Sequence, residues 1–186
     1  MSIDPAARRD AIISAVVAQI ADTGSPDVAM ADVVRASGCA LKTIYRAFGS
    51  KDLLLVEALA VWHRGMVSRA VAAPAAASVR DRVLHYLESC LLDFARDRGM
   101  ARLLVRNFAT TDPSVAAALG AIHQTSARTL GEFLSADAPT ITLTHALANY
   151  GLTVIAAGQI EASTAINEVC AAARVSLDAA SPSPGL

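Results

Sequence analysis

Two of the sixteen basic residues in this chain are lysines, Lys42 and Lys51, and both fall within GCALKTIYRAFGSKDLL, residues 38–54. On a helix that starts at Leu41, the residues Lys42, Thr43, Arg46 and Ala47 fall on an outer side. Leu41, Ile44, Tyr45 and Phe48 fall on an inner side that would hold the helix on a larger body. A short front of cations and a hydroxyl suits the phosphates and base edges of a nucleic acid. Such a front needs a holder, and two short helices joined by a tight turn at Gly38 supply one: the first braces while the second enters the major groove.

The elements that would position this segment are helical. Apolar residues recur at intervals of three and four along nearly the whole chain and strand-like alternation is almost absent, which predicts an all-α protein. The first helix is expected from Ala7 to Asp22, stopped by Gly24. The second runs from Val28 to Ser37, burying Met30, Val33 and Val34, and the third from Leu41 to Phe48. Ser50 offers an N-cap hydroxyl to a long fourth helix that starts at Lys51 and runs towards Ala73, before Pro74. Val79, Val83, Tyr86, Leu87, Cys90 and Phe94 then form one stripe, and Met100 to Ala109 is a short helix. Asp112 and Pro113 suit the cap and first position of a helix reaching Leu134; Pro139 opens another, and Ser163 to Ala180 forms the last. The SPSPGL tail is expected to be disordered. The division expected is a helix-turn-helix DNA-binding head over residues 1–50, a helical body over 51–180 and a tail over 181–186.

Composition narrows the partners. With 54% hydrophobic and 18% charged residues the chain is not disordered, and a net charge of -1 gives no chain-wide attraction to DNA or to an anionic membrane. Basic groups that bind DNA must therefore be concentrated locally. The opening MSIDPAARRDA has no secretory pattern, and the apolar stretch from Ala146 to Gly158 is interrupted by Asn149 and too short to span a bilayer, so a soluble cytoplasmic protein is expected. Cys39, Cys90 and Cys170 are too widely spaced for a metal pair and read as small reduced core residues. His63, His85, His123 and His145 lack metal-ligand spacing, and no nucleophile-elbow, P-loop or Rossmann glycine pattern occurs. No enzyme, cofactor or metal is expected.

RRDAIISAVVAQIADTG followed by DVVRASGCALKTIYRAFGSKDLL resembles the N-terminal domain of TetR/AcrR-type transcriptional regulators in residue type and spacing, ungapped from Arg9 to Leu54. Gly24, Gly38, Thr43-Ile44-Tyr45, Phe48 and Ser50-Lys51 carry the likeness. The resemblance implies that Thr43 and Tyr45 contact phosphate, Tyr45 through its hydroxyl with the ring packed inward, and that Lys51 meets phosphate at the start of the fourth helix. It makes Lys42 and Arg46 the base readers, donating to guanine O6 and N7. Arg8 and Arg9 are open to two readings, a minor-groove arm or a solvated N-terminus. The chain departs from the pattern at Ala40, where a capping serine or threonine is usual, at Lys42, where glycine is common, and at Val28 and Ala29, which replace threonines. Asp27 is the alternative cap for the second helix.

Beyond Leu55 the likeness is one of helical layout. The resemblance implies a bundle whose last two long helices pair with a second subunit. Leu143, Leu147, Tyr150 and Val154 are spaced for helix pairing, Gly151 and Gly158 allow close approach, and Ile166, Val169 and Ala173 continue the surface on the last helix. Trp62, Met66, Tyr86, Cys90, Phe94, Phe108 and His123 are the candidates for an effector cavity, suited to an apolar or aromatic small molecule. The expected function is a homodimeric, ligand-responsive transcriptional repressor on a pseudo-palindromic operator. The alternative is a helical small-molecule-binding protein with a degenerate DNA-binding head.

Overall fold

The computed structural model describes residues 4–72 and 77–180; Ala73, Pro74 and the SPSPGL tail lie outside the described residues. The described elements are α1 (Pro5–Thr23), α2 (Met30–Ser37), α3 (Leu41–Phe48), α4 (Lys51–Ala70), α5 (Val79–Arg96), α6 (Arg98–Asn107), α7 (Pro113–Leu134), α8 (Ala138–Ala157) and α9 (Ala162–Ala180). The protein is all-α, as the periodicity of its apolar residues predicts.

Local chemistry accounts for most of the helix ends. Asp4 accepts from Ala6 N at 3.3 Å and Pro5 follows it, which starts α1; Gly24 ends α1 in the left-handed conformation, at φ 62°. Asp112 Oδ1 accepts from Ser114 N at 2.8 Å and Val115 N at 3.2 Å, so the expected cap of α7 forms. Asp137 caps α8 through Thr140 N at 3.0 Å. Hydrogen bonding from the Thr140 side chain, and then from its backbone N–H, holds the Asp137 carboxyl below its ordinary value.

Two compact units divide the described residues, with the split falling inside α4 and α7. The first contains α1, α2 and α3, α4 through His63, α6, and α7 through Ile122. Its core includes Ile12, Val16, Ile20, Val33, Ile44 and Phe48. Helix α6 packs on the end of α1 at Gly99, where a Cβ would lie 2.6 Å from Ile20 Cγ2 and 2.8 Å from Ile20 O, so only glycine fits without movement. Arg102 donates to Gly24 O at 3.2 Å, supporting the same junction.

In the second unit α5 packs on α8 and α9, and α8 packs on α9. The carboxylate of Asp93 is buried here, and it is matched: Arg69 donates to Oδ2 through Nε and Nη2 at 3.0 and 2.8 Å, and Arg96 donates to Oδ1 at 2.5 Å. A buried carboxylate without such partners would be strongly destabilising. At Gly151 a Cβ would collide with the side chain of Leu91 and sit 3.3 Å from Val169 Cγ2. None of the described helices is long and apolar enough to cross a membrane.

The N-terminus of α2 differs from expectation. The helix begins at Met30, its N-cap is Ala29 with no side-chain cap bond, and Val28 is buried in the segment before it. Asp27 does not cap α2; its carboxylate pairs with Arg106 at 3.2 Å, because α6 brings that cation to it from far along the chain.

Candidate nucleic-acid interface

The turn between α2 and α3 is assembled from its own residues. Gly38 adopts φ 67° and donates to Val34 O at 3.0 Å; Ser37 Oγ donates to Val33 O at 2.7 Å and accepts from Cys39 N at 3.3 Å. The reversal sends the chain into α3, where Ile44 is 1% and Phe48 5% exposed, and these two residues anchor the helix to the first unit. At the far end Gly49 takes φ 80°, and Ser50 Oγ accepts from Leu53 N at 3.1 Å, so the predicted cap of α4 is in place beside Lys51.

Neither α2 nor α3 has a side-chain N-cap, since Ala29 and Ala40 occupy those positions. The first N–H groups of a helix have no intrahelical acceptor, and without a capping side chain they are left to water or to an anion. Lys42, Tyr45 and Arg46 are exposed, while Thr43 and Lys51 are half-buried. Lys42, Arg46 and Lys51 form no ion pair among the described residues. Three arginines elsewhere in this unit are committed: Arg9 to Glu57, Arg35 to Asp32 and Arg106 to Asp27.

Sequence reasoning missed two features of this face. Arg9 is neither an arm nor a solvated residue. Its guanidinium donates to Ala47 O at 2.6 Å, pairs with Glu57, and lies 4.2 Å from the centre of the Phe48 ring, which ties α1 to the C-terminal end of α3 and to α4. No local pattern marks that role, because the partners lie 38 to 48 residues away. Leu41 and Tyr45 do not belong to the buried back of α3; they are 44% and 40% exposed. Side chains on a helix tilt towards its N-terminus, so a first-turn residue such as Leu41 points out past the start of α3, where no preceding turn covers it.

The other candidate residues are dispersed. Trp62 and Phe108 belong to the first unit, whereas Met66, Tyr86, Cys90, Phe94 and His123 belong to the second. Trp62 is spent on Asp97, donating from Nε1 to Oδ2 at 2.8 Å; Phe108 and His123 are exposed. Met66, Tyr86, Cys90 and Phe94 are buried in the second unit. Burial pushes the Cys90 thiol up to about 12 and raises the Tyr86 hydroxyl well above its ordinary value, so both stay neutral and unreactive. Among the described residues no group of three His, Cys, Asp or Glu side chains is placed to hold a metal ion.

On α8 and α9, Gly151, Val169 and Ala173 face the chain's own core, where the clearance at Gly151 serves Leu91 and Val169 rather than a second copy. Leu143, Leu147, Val154 and Ile166 are half-buried, and Tyr150 and Gly158 are exposed.

Residues 12–58 match the family described as bacterial regulatory proteins, tetR family. Over nearly its full length the chain has the fold of a TetR transcriptional regulator from Rhodococcus sp. RHA1, with a TM-score of 0.74 at 21% identity, covering 94% of this chain and 98% of that one. It is also similar to a tetR-family transcriptional regulator from Streptomyces coelicolor, with a TM-score of 0.66 at 17% identity over 97% and 85% of the two chains. The fatty acid degradation regulator FadR from Bacillus halodurans gives a TM-score of 0.66 at 16% identity over 93% and 96%. No curated protein matches the chain. The family match is confined to residues 12–58, which hold the helix-turn-helix, and the likeness to these solved structures extends the shared all-helical fold over the rest of the chain.

Proposed function

We propose that this protein represses transcription in the cytoplasm as a homodimer, bound to a pseudo-palindromic operator and released from it by a small-molecule effector. Residues 1–50 form the DNA-binding head and residues 51–180 the effector-binding and dimerising body. The observation that carries the reading is a group of cations on one short segment of the head: Lys42, Arg46 and Lys51 form no ion pair among the described residues, while Arg9, Arg35 and Arg106 are engaged. In a chain of net charge -1, cations left without carboxylate partners on a short exposed helix suit a polyanion.

Lys42 and Arg46 read guanine edges in the major groove, and Thr43, the Tyr45 hydroxyl and Lys51 hold phosphates. Two copies of α3 then occupy successive grooves, ~34–36 Å apart, which requires a two-fold dimer. The dimer face is the outer side of α8 and α9, with Leu143, Leu147, Tyr150, Val154, Gly158 and Ile166.

Met66, Tyr86, Cys90 and Phe94 supply an apolar lining with weak polar handles for an apolar or aromatic effector. These side chains are closely packed, so an effector has to open room among them. By linkage it binds the DNA-free conformation more tightly than the operator-bound one.

Retention of fragmented DNA from the source genome by the purified protein, followed by sequencing, tests the proposal. Enrichment of an inverted repeat by the wild type and not by the Tyr45→Ala, Arg46→Ala double variant is the expected result. The uncapped starts of α2 and α3 favour one competing reading, a small-molecule-binding protein with a degenerate head, and retention of no fragment even at low salt would select it.

A further inference from the structure

We propose that Leu41 is a specificity-determining residue that reads thymine, its isobutyl group packing on the C5-methyl of one thymine in each operator half-site. The inference rests on the DNA-binding reading of α3 and goes beyond it by naming a base and the atom that is read. Leu41 is 44% exposed although α3 is already anchored by Ile44 and Phe48, so the residue is not required as core. It occupies the first turn of α3, the part of a recognition helix that meets base edges, and its side chain points out past the helix start. Tyr45, 40% exposed and four residues on, continues the same apolar edge beside the cations Lys42 and Arg46.

The side-chain inventory of α3 explains why an apolar reader is needed. Lys42 and Arg46 are donors that select the paired acceptors of guanine. The helix, LKTIYRAF, has no Asn or Gln with which to read adenine bidentately. The distinctive mark that remains on an A·T pair in the major groove is the thymine methyl, which is recognised by apolar contact. Leu41 is the largest exposed aliphatic side chain on α3.

The test uses the full-length protein and a duplex of the operator recovered from the source genome, in which each thymidine is replaced in turn by deoxyuridine, removing only the C5-methyl. Affinities are measured at one fixed salt concentration for the wild type and Leu41→Ala. One replacement per half-site is expected to weaken the wild type by about three- to tenfold, the scale of losing a buried methyl, and to leave Leu41→Ala indifferent. Because the wild-type series needs no variant, the expectation holds independently of how Leu41→Ala folds. Wild-type indifference to every replacement overturns the assignment, as does a Leu41→Ala protein that stays equally sensitive to the same replacement. A Leu41→Ala protein that binds weakly while the wild type ignores deoxyuridine places Leu41 on the sugar-phosphate backbone and also overturns it. Failure to retain any operator overturns the DNA-binding reading and this inference together, whereas tight binding without a deoxyuridine effect overturns this inference alone.

Discussion

Helix α3 of the first unit and helices α8 and α9 of the second all leave apolar side chains in contact with water, but their surroundings differ. On α3, Leu41 and Tyr45 stand beside the unpaired cations Lys42 and Arg46. Helix α8 contains no Asp, Glu, Lys or Arg at all, and its exposed residues include Ala146, Asn149, Tyr150, Thr153 and Ala157; on α9, by contrast, the 71% exposed Val175 adjoins the exposed Arg174. Apolar groups mixed with unpaired cations fit a polyanion that also displays methyl groups. An uncharged helix face with an exposed tyrosine fits another surface of its own kind. Exposure alone therefore does not distinguish the two surfaces; the charge beside the exposed carbon does.

The comparison breaks most readily on the α8 side. In the proposed dimer, Tyr150→Arg puts a charge on that face and two-fold symmetry would bring its copy into the same interface, where like charges cost several kcal/mol. Sedimentation should show a folded monomer in place of a dimer, and an unchanged mass would remove α8 from the interface.

Next come the two close-packed glycines, which contrast the interiors of the units. Gly99→Ala meets backbone, the Ile20 carbonyl and Gly24 C, and should destabilise by ~1–3 kcal/mol in denaturant titrations. Gly151→Ala meets only the side chains of Leu91 and Val169, which can turn aside, so its loss should be the smaller of the two. The reverse order would mean that α6 yields at Gly99 more easily than α5 and α9 yield at Gly151.

Arg46→Ala should cost ~1–3 kcal/mol of discrimination at one operator position while leaving α8 pairing unchanged, as read by competition between single-base operator variants. Lys51→Ala should weaken all sequences alike and lower the salt slope by about one.

The smallest effect concerns pH. His145 on α8 lies 5.4 Å, ring centre to ring centre, from His123 on α7, and burial, reinforced by the neighbouring ring, holds its imidazole below the ordinary histidine value. The unfolded chain then binds the proton more readily than the folded one. Stability should therefore fall as pH drops through about 6.5, the unperturbed value, and thermal melts of His145→Gln should show a flatter dependence over the same window.

Much of the first unit was legible because its signals are local. Gly24 and Gly38 stop helices through left-handed backbone, Ser50 caps α4 through a hydroxyl three residues from its partner, and Asp112 with Pro113 starts α7 in the same short-range way. The outer positions of Lys42 and Arg46 followed from helical spacing alone. The α8 and α9 stripes were less legible, because apolar spacing of three and four says that a face is covered without saying by what. Gly151, Val169 and Ala173 turned out to face their own chain.

By itself, then, the sequence determined the all-α class, the helix-turn-helix segment and the cations on its front, since each depends on residues within a few positions of one another. Tertiary structure alone decided that Arg9 braces α3, that Asp27 answers Arg106, that Gly99 admits α1 and that Leu41 is left uncovered. Each of those outcomes depends on which distant helix arrives at the residue, or on none arriving, and sequence spacing carries no information about that.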